Sequence, residues 1–316
     1  MNENAPRRRP GIILAALAGV LGVLVAVPHL LPDALGLAIA VEAVLPWFGI
    51  AIALVLIAAL VRRRSLAVIV AVAAAIAWCV VFVPRVLPLS VSADAAASAA
   101  AGDRTLSVIS QNLHGAVGDP AGTAQAALDA APDLIAFQEL DGGSRDAVDA
   151  VLAEQYPYLS RAGSVSLWSA YPITADEPLD LGLGWNRALR ATVAAPAGDV
   201  EVYVVHAASA RIGEHGPRDR MLAELADTVR ADGSARILAV GDFNAGTDDR
   251  AFAPIAALLT EPRQTSGGFG FSWPEEFPVT RLDHVLTRGL TATASSTERL
   301  GASDHLGVRA EFVLSD

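Results

Sequence analysis

Three runs near the N-terminus constrain this chain more than any other feature. Residues 11–31, 43–61 and 66–84 carry no formal charge and are almost wholly apolar. Each is close to the ~20 residues that cross a ~30 Å hydrocarbon core as a helix. A cleaved signal peptide has a shorter apolar core of about 7–15 residues, and three such runs in succession are unusual for buried helices of one soluble domain. The expectation is therefore three transmembrane helices within an N-terminal membrane region, residues 1–89. Glu42, at the edge of the second run, is expected to act as an interfacial anchor.

The flanking charges give an orientation. Arg7, Arg8 and Arg9 precede the first run, and Arg62, Arg63 and Arg64 separate the second from the third. Clusters of this kind stay in the cytoplasm. The turn between the first two runs holds only Asp33. The N-terminus is then cytoplasmic, and a chain crossing three times delivers its C-terminal part to the outside. The localisation expected is a multi-pass cell-membrane protein with an extracytoplasmic C-terminal domain.

The chain has 316 residues, is 53% hydrophobic and has a mean hydropathy of +0.43. Nearly all the excess lies in the three runs. Residues 90–104 are rich in Ala and Ser and read as a linker, part-helical given so much Ala. Residues 105–316 suffice for one domain with its own core. Cys79 is the only cysteine, so no intramolecular disulfide framework exists. All 23 basic residues are arginines. Beyond residue 91 there are 16 arginines against 31 acids, a formal charge of −15. A nonspecific binder of long nucleic acid usually shows the opposite balance, although a bound cation offsets negative charge locally.

In the C-terminal domain, short apolar strands end in polar residues. Residues 236–244, Arg-Ile-Leu-Ala-Val-Gly-Asp-Phe-Asn, form an apolar run that stops at Gly241, Asp242 and Asn244. A branched apolar run reads as a buried strand, and the carboxyl end of such a strand is where ligands collect in α/β sheets. Asp242 and Asn244 stand two apart, so on a continuing strand both would point to one side. A strand followed by an ordinary turn would use the same residues. Asn112, Glu139 and His206 end other strands, Asp283 starts one, and Asp304 and His305 lie just before another. The rest reads as helices over 121–131, 144–155, 217–230 and 249–259, strands over 106–113, 133–140, 165–172, 282–287 and 306–314, and a hairpin of 188–194 with 200–207.

Six motifs carry a resemblance: Ser110-Gln-Asn112, Phe137-Gln-Glu139, Val204-Val-His206, Gly241-Asp-Phe-Asn244, Leu282-Asp-His284 and Ser303-Asp-His305. In this order and with these gaps, the domain resembles the endonuclease/exonuclease/phosphatase superfamily, with its deoxyribonuclease-like fold. Phe271-Ser-Trp-Pro274 looks like that family's membrane-anchored bacterial branch. The resemblance implies an α/β fold, a four-layer α/β sandwich of two packed mixed β-sheets flanked by helices. It also implies Mg²⁺- or Mn²⁺-dependent hydrolysis of a phosphoester. By that analogy Glu139, Asn112 and Asp304 hold the metal. Asp242 orients or deprotonates water, and Asn244 donates to a nonbridging oxygen. His305, oriented by Asp283, serves as base or as a charged phosphate ligand, and His206 contacts the phosphate or assists the leaving group. Such chemistry requires a hard cation in oxygen ligands and preorganised donors.

The branch that repairs abasic sites typically reads Gln-Glu-Thr-Lys where this chain has Gln138-Glu139-Leu140-Asp141. That departure points away from a repair nuclease. The substrate is expected to be a nucleic acid, a phospholipid head group or a small phosphodiester. A nuclease-like phosphodiesterase is the first reading, with a lipid-directed phosphodiesterase or a phosphomonoesterase as alternatives. A membrane-anchored binding domain without turnover is the contrasting class, and the complete set of polar residues argues against it. His114 and His215 read as loop residues, and His284 as a core residue facing away from Asp283. Arg187 and Arg190 could bind phosphate or be solvated. Trp168, Trp185 and Trp273 read as packing.

Overall fold

The computed structural model describes residues 9–33, 36–102 and 104–314. Arg7 and Arg8 of the first basic cluster lie outside them. The chain divides into two compact units, Met1–Val86 and Leu87–Asp316.

The first unit contains α1 (Arg9–Ala26), α2 (Leu37–Ala43), α3 (Phe48–Val61) and α4 (Ser65–Val86). Among the described residues, only α4 is by itself long and apolar enough to cross a membrane. A helix pair, Leu37–Ala43 with Leu45–Val61, meets the same test but is bent by 58°, and Gly11–Ala26 is a shorter apolar helix. The breaks have local causes. Pro28 starts a 3-10 turn after α1, and Pro46 lies in the 3-10 turn before α3. Proline removes a backbone donor and suits a first turn, not a helix interior. The helices pack through small side chains, with Ala18 and Ala71 against Val55. Ile12, Ile69, Ile76 and Val80 point outward and are exposed. Arg63 takes φ +52° in the turn between α3 and α4.

The second unit opens with α5 (Ala93–Ala101), capped by the Ser92 side chain; the Ala-rich segment is thus helical over most of its length. There follow β1 (Thr105–Asn112), α6 (Pro120–Asp129), β2 (Leu134–Gln138), α7 (Gly142–Leu152), β3 (Tyr158–Ala162), β4 (Val165–Ser169) and β5 (Ile173–Leu179). Then come β6 (Ala188–Ala195), β7 (Gly198–His206), α8 (Gly216–Ala231), β8 (Ile237–Asp242), α9 (Ala253–Ala256), β9 (Asp283–Arg288), β10 (Leu290–Glu298) and β11 (Gly307–Leu314). One sheet has the order β10-β11-β1-β2-β4-β3, the other β5-β6-β7-β8-β9. Both are mixed: β1 runs parallel to β2 and β7 parallel to β8, while the other pairs are antiparallel.

Strand alternation builds four layers. Val108, Ala136, Leu167, Val204, Val240 and Phe312 fill the space between the sheets. The alternate residues of the first sheet, among them Ile109, Phe137 and Trp168, pack on α6 and α7. Those of the second, among them Tyr203, Ala239 and Leu286, pack on α8 and α9. With both faces covered, β8 is buried at every position, which explains its unbroken apolar sequence. The domain is therefore two packed mixed sheets flanked by helices.

Three strands escape the sequence pattern. β5 reads Ile-Thr-Ala-Asp-Glu-Pro-Leu and is mostly exposed. It is an edge strand whose charges and Pro178 discourage further pairing. β10, the opposite kind of edge, has only small side chains beyond Leu290 until Glu298, and β3 is a five-residue edge strand. The helix expected over 249–259 shrinks to α9, because the preceding segment is held as a turn by the Asp249 side chain, which accepts from Ala251 N at 2.8 Å.

Candidate active site

The topology gathers the polar residues. β1, β2, β7 and β8 end at one edge of the two sheets, where antiparallel β9 and β11 begin. In register, His206 on β7 pairs with Asp242 on β8, and Asp242 pairs with Asp283 on β9. Three adjacent strands thus set His206, Asp242 and Asp283 in one row. Asn112, at the end of β1, stands opposite Gln138 at the end of β2, one residue before Glu139.

Gly241 makes this register possible. Its φ is +135°, and a Cβ there would lie 2.0 Å from the Val205 carbonyl oxygen. No other residue fits that approach of β8 to β7. Glu139 and Asn244 have φ of +59° and +48°, and His114 +56°. Left-handed backbone at non-glycine residues collects where function holds it in place. Asn244 shows that the strand does not continue: the chain turns after Asp242, and Asn244 N donates to Asp242 Oδ1 at 2.8 Å. The two side chains are neighbours because of this turn, and not through the strand alternation that their spacing suggests.

Asn112 ties the two halves of the site together. Its Nδ2 donates to Glu139 Oε1 at 3.1 Å and to Asp242 Oδ2 at 3.0 Å, while its Oδ1 accepts from His114 N at 2.9 Å. Asn244 Nδ2 donates to Ala207 O at 2.9 Å and lies 3.3 Å from Asp242 Oδ2. His305 Nδ1 is 2.8 Å from Asp283 Oδ2. His206 Nε2 is 3.5 Å from Glu139 Oε1 and 4.0 Å from Asp242 Oδ2. Asp304 points its carboxylate to His114, with Oδ1 3.3 Å from Nδ1. That pair lines an open cleft with Val117, Glu276 and Phe277. Seven of the eight residues singled out thus form one buried or half-buried cluster, with Asp304 on its adjoining cleft.

The burial separates the protonation states. Burial raises the Asp242 carboxyl, and Asp283 raises it further; His305, Asn244 and Asn112 counter this without cancelling it. Burial alone would lower His305, but the adjacent Asp283 carboxylate, with Asp242 and Asp304, holds it up at about 10. His206 moves the other way, well below its ordinary value, through burial first and then Arg187 and His305. At neutral pH these directions leave His305 charged through its carboxylate neighbours and His206 neutral, through burial first.

The donor set suits a hard divalent cation. Asp242, Asp283 and His305 offer ligand atoms within 4.8 Å of one another, and Asp283 Oδ1 is buried without a hydrogen-bond partner. Glu139, its side chain 35% exposed, adds a carboxylate that solvent can reach. Oxygen-rich donors of this kind select Mg²⁺, Mn²⁺ or Ca²⁺ over softer ions.

Supporting residues carry weaker sequence signals. Gln111 Nε2 donates to His305 O at 3.0 Å, and Ser303 Oγ donates to Asn112 O at 2.6 Å. Ser272 Oγ accepts from Leu282 N and Asp283 N at 3.1 Å each, which fixes the start of β9. Arg218, fully buried on α8, donates to Asn244 O at 2.8 Å and to Asp249 at 2.7 Å. Arg187 lies against His206, whereas Arg190 is engaged by Glu201 at 2.7 Å, away from the site. His284 faces away, as expected, with Nδ1 2.7 Å from Glu261 and Nε2 2.9 Å from Ala245 O. His215 pairs with Asp219 at 2.7 Å. Trp168 is core, while Trp185 is 53% and Trp273 37% exposed.

Comparison with known proteins agrees with this geometry. The second unit resembles an endonuclease/exonuclease/phosphatase from Beutenbergia cavernae DSM 12333, with a TM-score of 0.54 and 20% identity over 67% of this chain and 72% of that one. TDP2 of Caenorhabditis elegans gives a TM-score of 0.56 and 18% identity, over 66% and 74%. Beta toxin of Staphylococcus aureus gives 0.51 and 16%, over 65% and 99%. At such identities the likeness is one of fold. No curated protein matches the chain in sequence. The model of the endonuclease/exonuclease/phosphatase family matches residues 94–305, which is two-thirds of the chain and spans every strand-end residue of the site, so the chain belongs to that family.

Proposed function

We propose that this protein is a membrane-anchored, Mg²⁺- or Mn²⁺-dependent phosphodiesterase whose catalytic domain works outside the cytoplasm. Membership of a family of phosphoester hydrolases supplies the reaction class. The observation that carries the catalytic reading is the placing of the His305–Asp283 pair, 2.8 Å apart, beside the buried Asp242 at the meeting edge of two sheets.

A bound divalent cation would be held by Glu139, with Asn112 and Asp304 as further oxygen donors, and would offset the charge of the phosphate; the neighbouring Asp242, Asp283 and His305 group is not its first ligand set, because a charged His305 has no lone pair to give a metal. The residues of the chain do the remaining work. His305, charged below about pH 10, cannot accept a proton at neutral pH. It binds a phosphate oxygen and stabilises charge as it develops. Asp242, raised towards neutrality by its burial, suits removal of a proton from the attacking water. Asn112 and the Asn244 backbone N–H hold its two oxygens in place. Asn244 Nδ2 would donate to a nonbridging oxygen by giving up its longer contact, 3.3 Å, to Asp242 Oδ2, and neutral His206 would contact the phosphate or help the leaving group.

Anchoring rests on hydropathy and on the helices of the first unit. One helix is long enough to span, a bent pair is long enough together, and a third is apolar but shorter. The arginine clusters give the orientation. A C-terminal alkaline phosphatase fusion is expected to be active; an inactive one reverses the orientation.

A lipid-directed phosphodiesterase is the second reading. Val117, 80% exposed, and Phe277, 67% exposed, stand on the cleft beside Asp304, which suits a substrate with an apolar part. The full-length chain tested with Mg²⁺ on DNA, RNA, sphingomyelin, phosphatidylinositol phosphates and phosphomonoesters separates the readings. Turnover of none of them refutes the hydrolase.

A further inference from the structure

Arg187 immediately precedes β6, and its backbone is fixed from two sides. Its carbonyl accepts from His206 N at 2.9 Å. The β3–β4 turn presses on Asn186, where a Cβ at Gly163 (φ +55°) would lie 1.7 Å from the carbonyl oxygen. The guanidinium therefore enters the site at a set place. Its Nη2 is 2.7 Å from Nδ1 and 2.5 Å from Nε2 of His206, and its Cζ lies 5.1 Å from the centre of the Trp185 ring.

What this arginine lacks is a carboxylate. Arg161, Arg190, Arg218 and Arg281 each have one, at 2.7, 2.7, 2.7 and 3.0 Å. Arg187 has none within ion-pair distance among the described residues, although Glu139 and Asp242 are near enough to act on its charge. Its Nε is buried with no hydrogen-bond partner. The His206 ring is the only hydrogen-bond partner of its side chain among the described residues. A half-buried guanidinium whose Nε–H is buried and vacant is costly unless an anion completes it. Its planar fork matches two phosphate oxygens, and a ring face keeps such a plane oriented.

We propose that Arg187 is a catalytic residue that binds the scissile phosphate, with Trp185 holding the guanidinium in the orientation required. The inference rests on the hydrolase reading for its reaction and on the unpaired guanidinium for its ligand. Ser164, with Oγ 3.2 Å from His206 Nδ1, fixes the ring against which the arginine lies.

The test uses the full-length chain in detergent with Mg²⁺ and bis-p-nitrophenyl phosphate. Arg187→Ala is expected to lower kcat/KM by about 10²–10³-fold, as loss of one preorganised donor does. Arg187→Lys should recover little of this, because an ammonium lacks the fork. Guanidinium ion added to Arg187→Ala should restore part of kcat while leaving the unsubstituted protein unchanged. Calorimetric titration with inorganic phosphate should show at least about tenfold weaker binding in Arg187→Ala, each tenfold being one decade in Kd. Lost activity without rescue, and with phosphate affinity unchanged, would mean a structural role and overturn the proposal. So would phosphate binding equal in the two proteins or absent from both. A chain that binds phosphate through Arg187 yet turns over no substrate sustains this inference and refutes the hydrolase reading instead.

Discussion

His305 Nδ1 and Asp283 Oδ2 lie 2.8 Å apart, and both side chains are buried. The contact joins the loop before β11 in one sheet to the first residue of β9 in the other. It sets both the orientation of the ring and its charge. Asp283→Asn removes the carboxylate and keeps the shape. The expected loss in kcat is about 10²–10³-fold, the range for loss of one preorganised charge-stabilising donor, with KM little changed. Steady-state kinetics at neutral pH measure it.

The same pair makes stability depend on pH. His305 rises from its ordinary 6.5 to about 10 in the folded protein, despite a burial that would lower it, because Asp283 is beside it. A raised histidine contributes stability that is fully present below pH 6.5 and is lost as pH rises towards 10. Asp242, also raised, acts in the same direction across its own lower range. In EDTA the Tm of the catalytic domain should therefore fall between pH 6.5 and 10 by more in the parent protein than in His305→Gln. Equal slopes in circular-dichroism melts would contradict the charged state of His305.

Gly241→Ala should destabilise the fold. The substitution places a Cβ 2.0 Å from Val205 O at a φ of +135°, so β7 and β8 must separate or the turn must rearrange. Backbone strain of this kind costs about 1–3 kcal/mol, and the clash adds to it. Urea unfolding measures the change. Because Asp242 and His206 sit across this contact, activity should fall further than stability alone explains.

Arg218→Met tests support of the Asn244 turn from behind. The fully buried guanidinium holds Asn244 O and Asp249, and its removal leaves Asp249, itself nearly buried, without that partner. Breaking a buried ion pair in this way costs about 3–5 kcal/mol. Chemical denaturation should show it, with a lower kcat in the fraction that remains folded.

Much of the catalytic domain is legible because its strands are buried on both faces. β1, β2, β7 and β8 announce themselves as apolar runs, and each run stops at or beside a residue of the site. Strand pairing is not legible in the same way. That His206, Asp242 and Asp283 stand in one row results from a parallel pair and an antiparallel pair, which no local pattern specifies. The edge strands β3, β5 and β10 carry polar or small residues because nothing covers them. Asp242 and Asn244 do act as neighbours, but a left-handed Asn244 that turns the chain back brings them together, not strand alternation. Arg187 can be read as a candidate but not distinguished from Arg190. One lacks a carboxylate and the other has Glu201, a difference of tertiary structure alone. Ser164, in an Ala-Gly-Ser turn, gives no signal in the sequence at all.

Hydrolysis of bis-p-nitrophenyl phosphate by the full-length chain tests the central claim most directly. Turnover should require Mg²⁺ or Mn²⁺, cease in EDTA, return on adding the metal, and be absent from Glu139→Ala, which still folds. Turnover that persists in EDTA or in Glu139→Ala would contradict a metal-dependent site at the meeting edge of the two sheets.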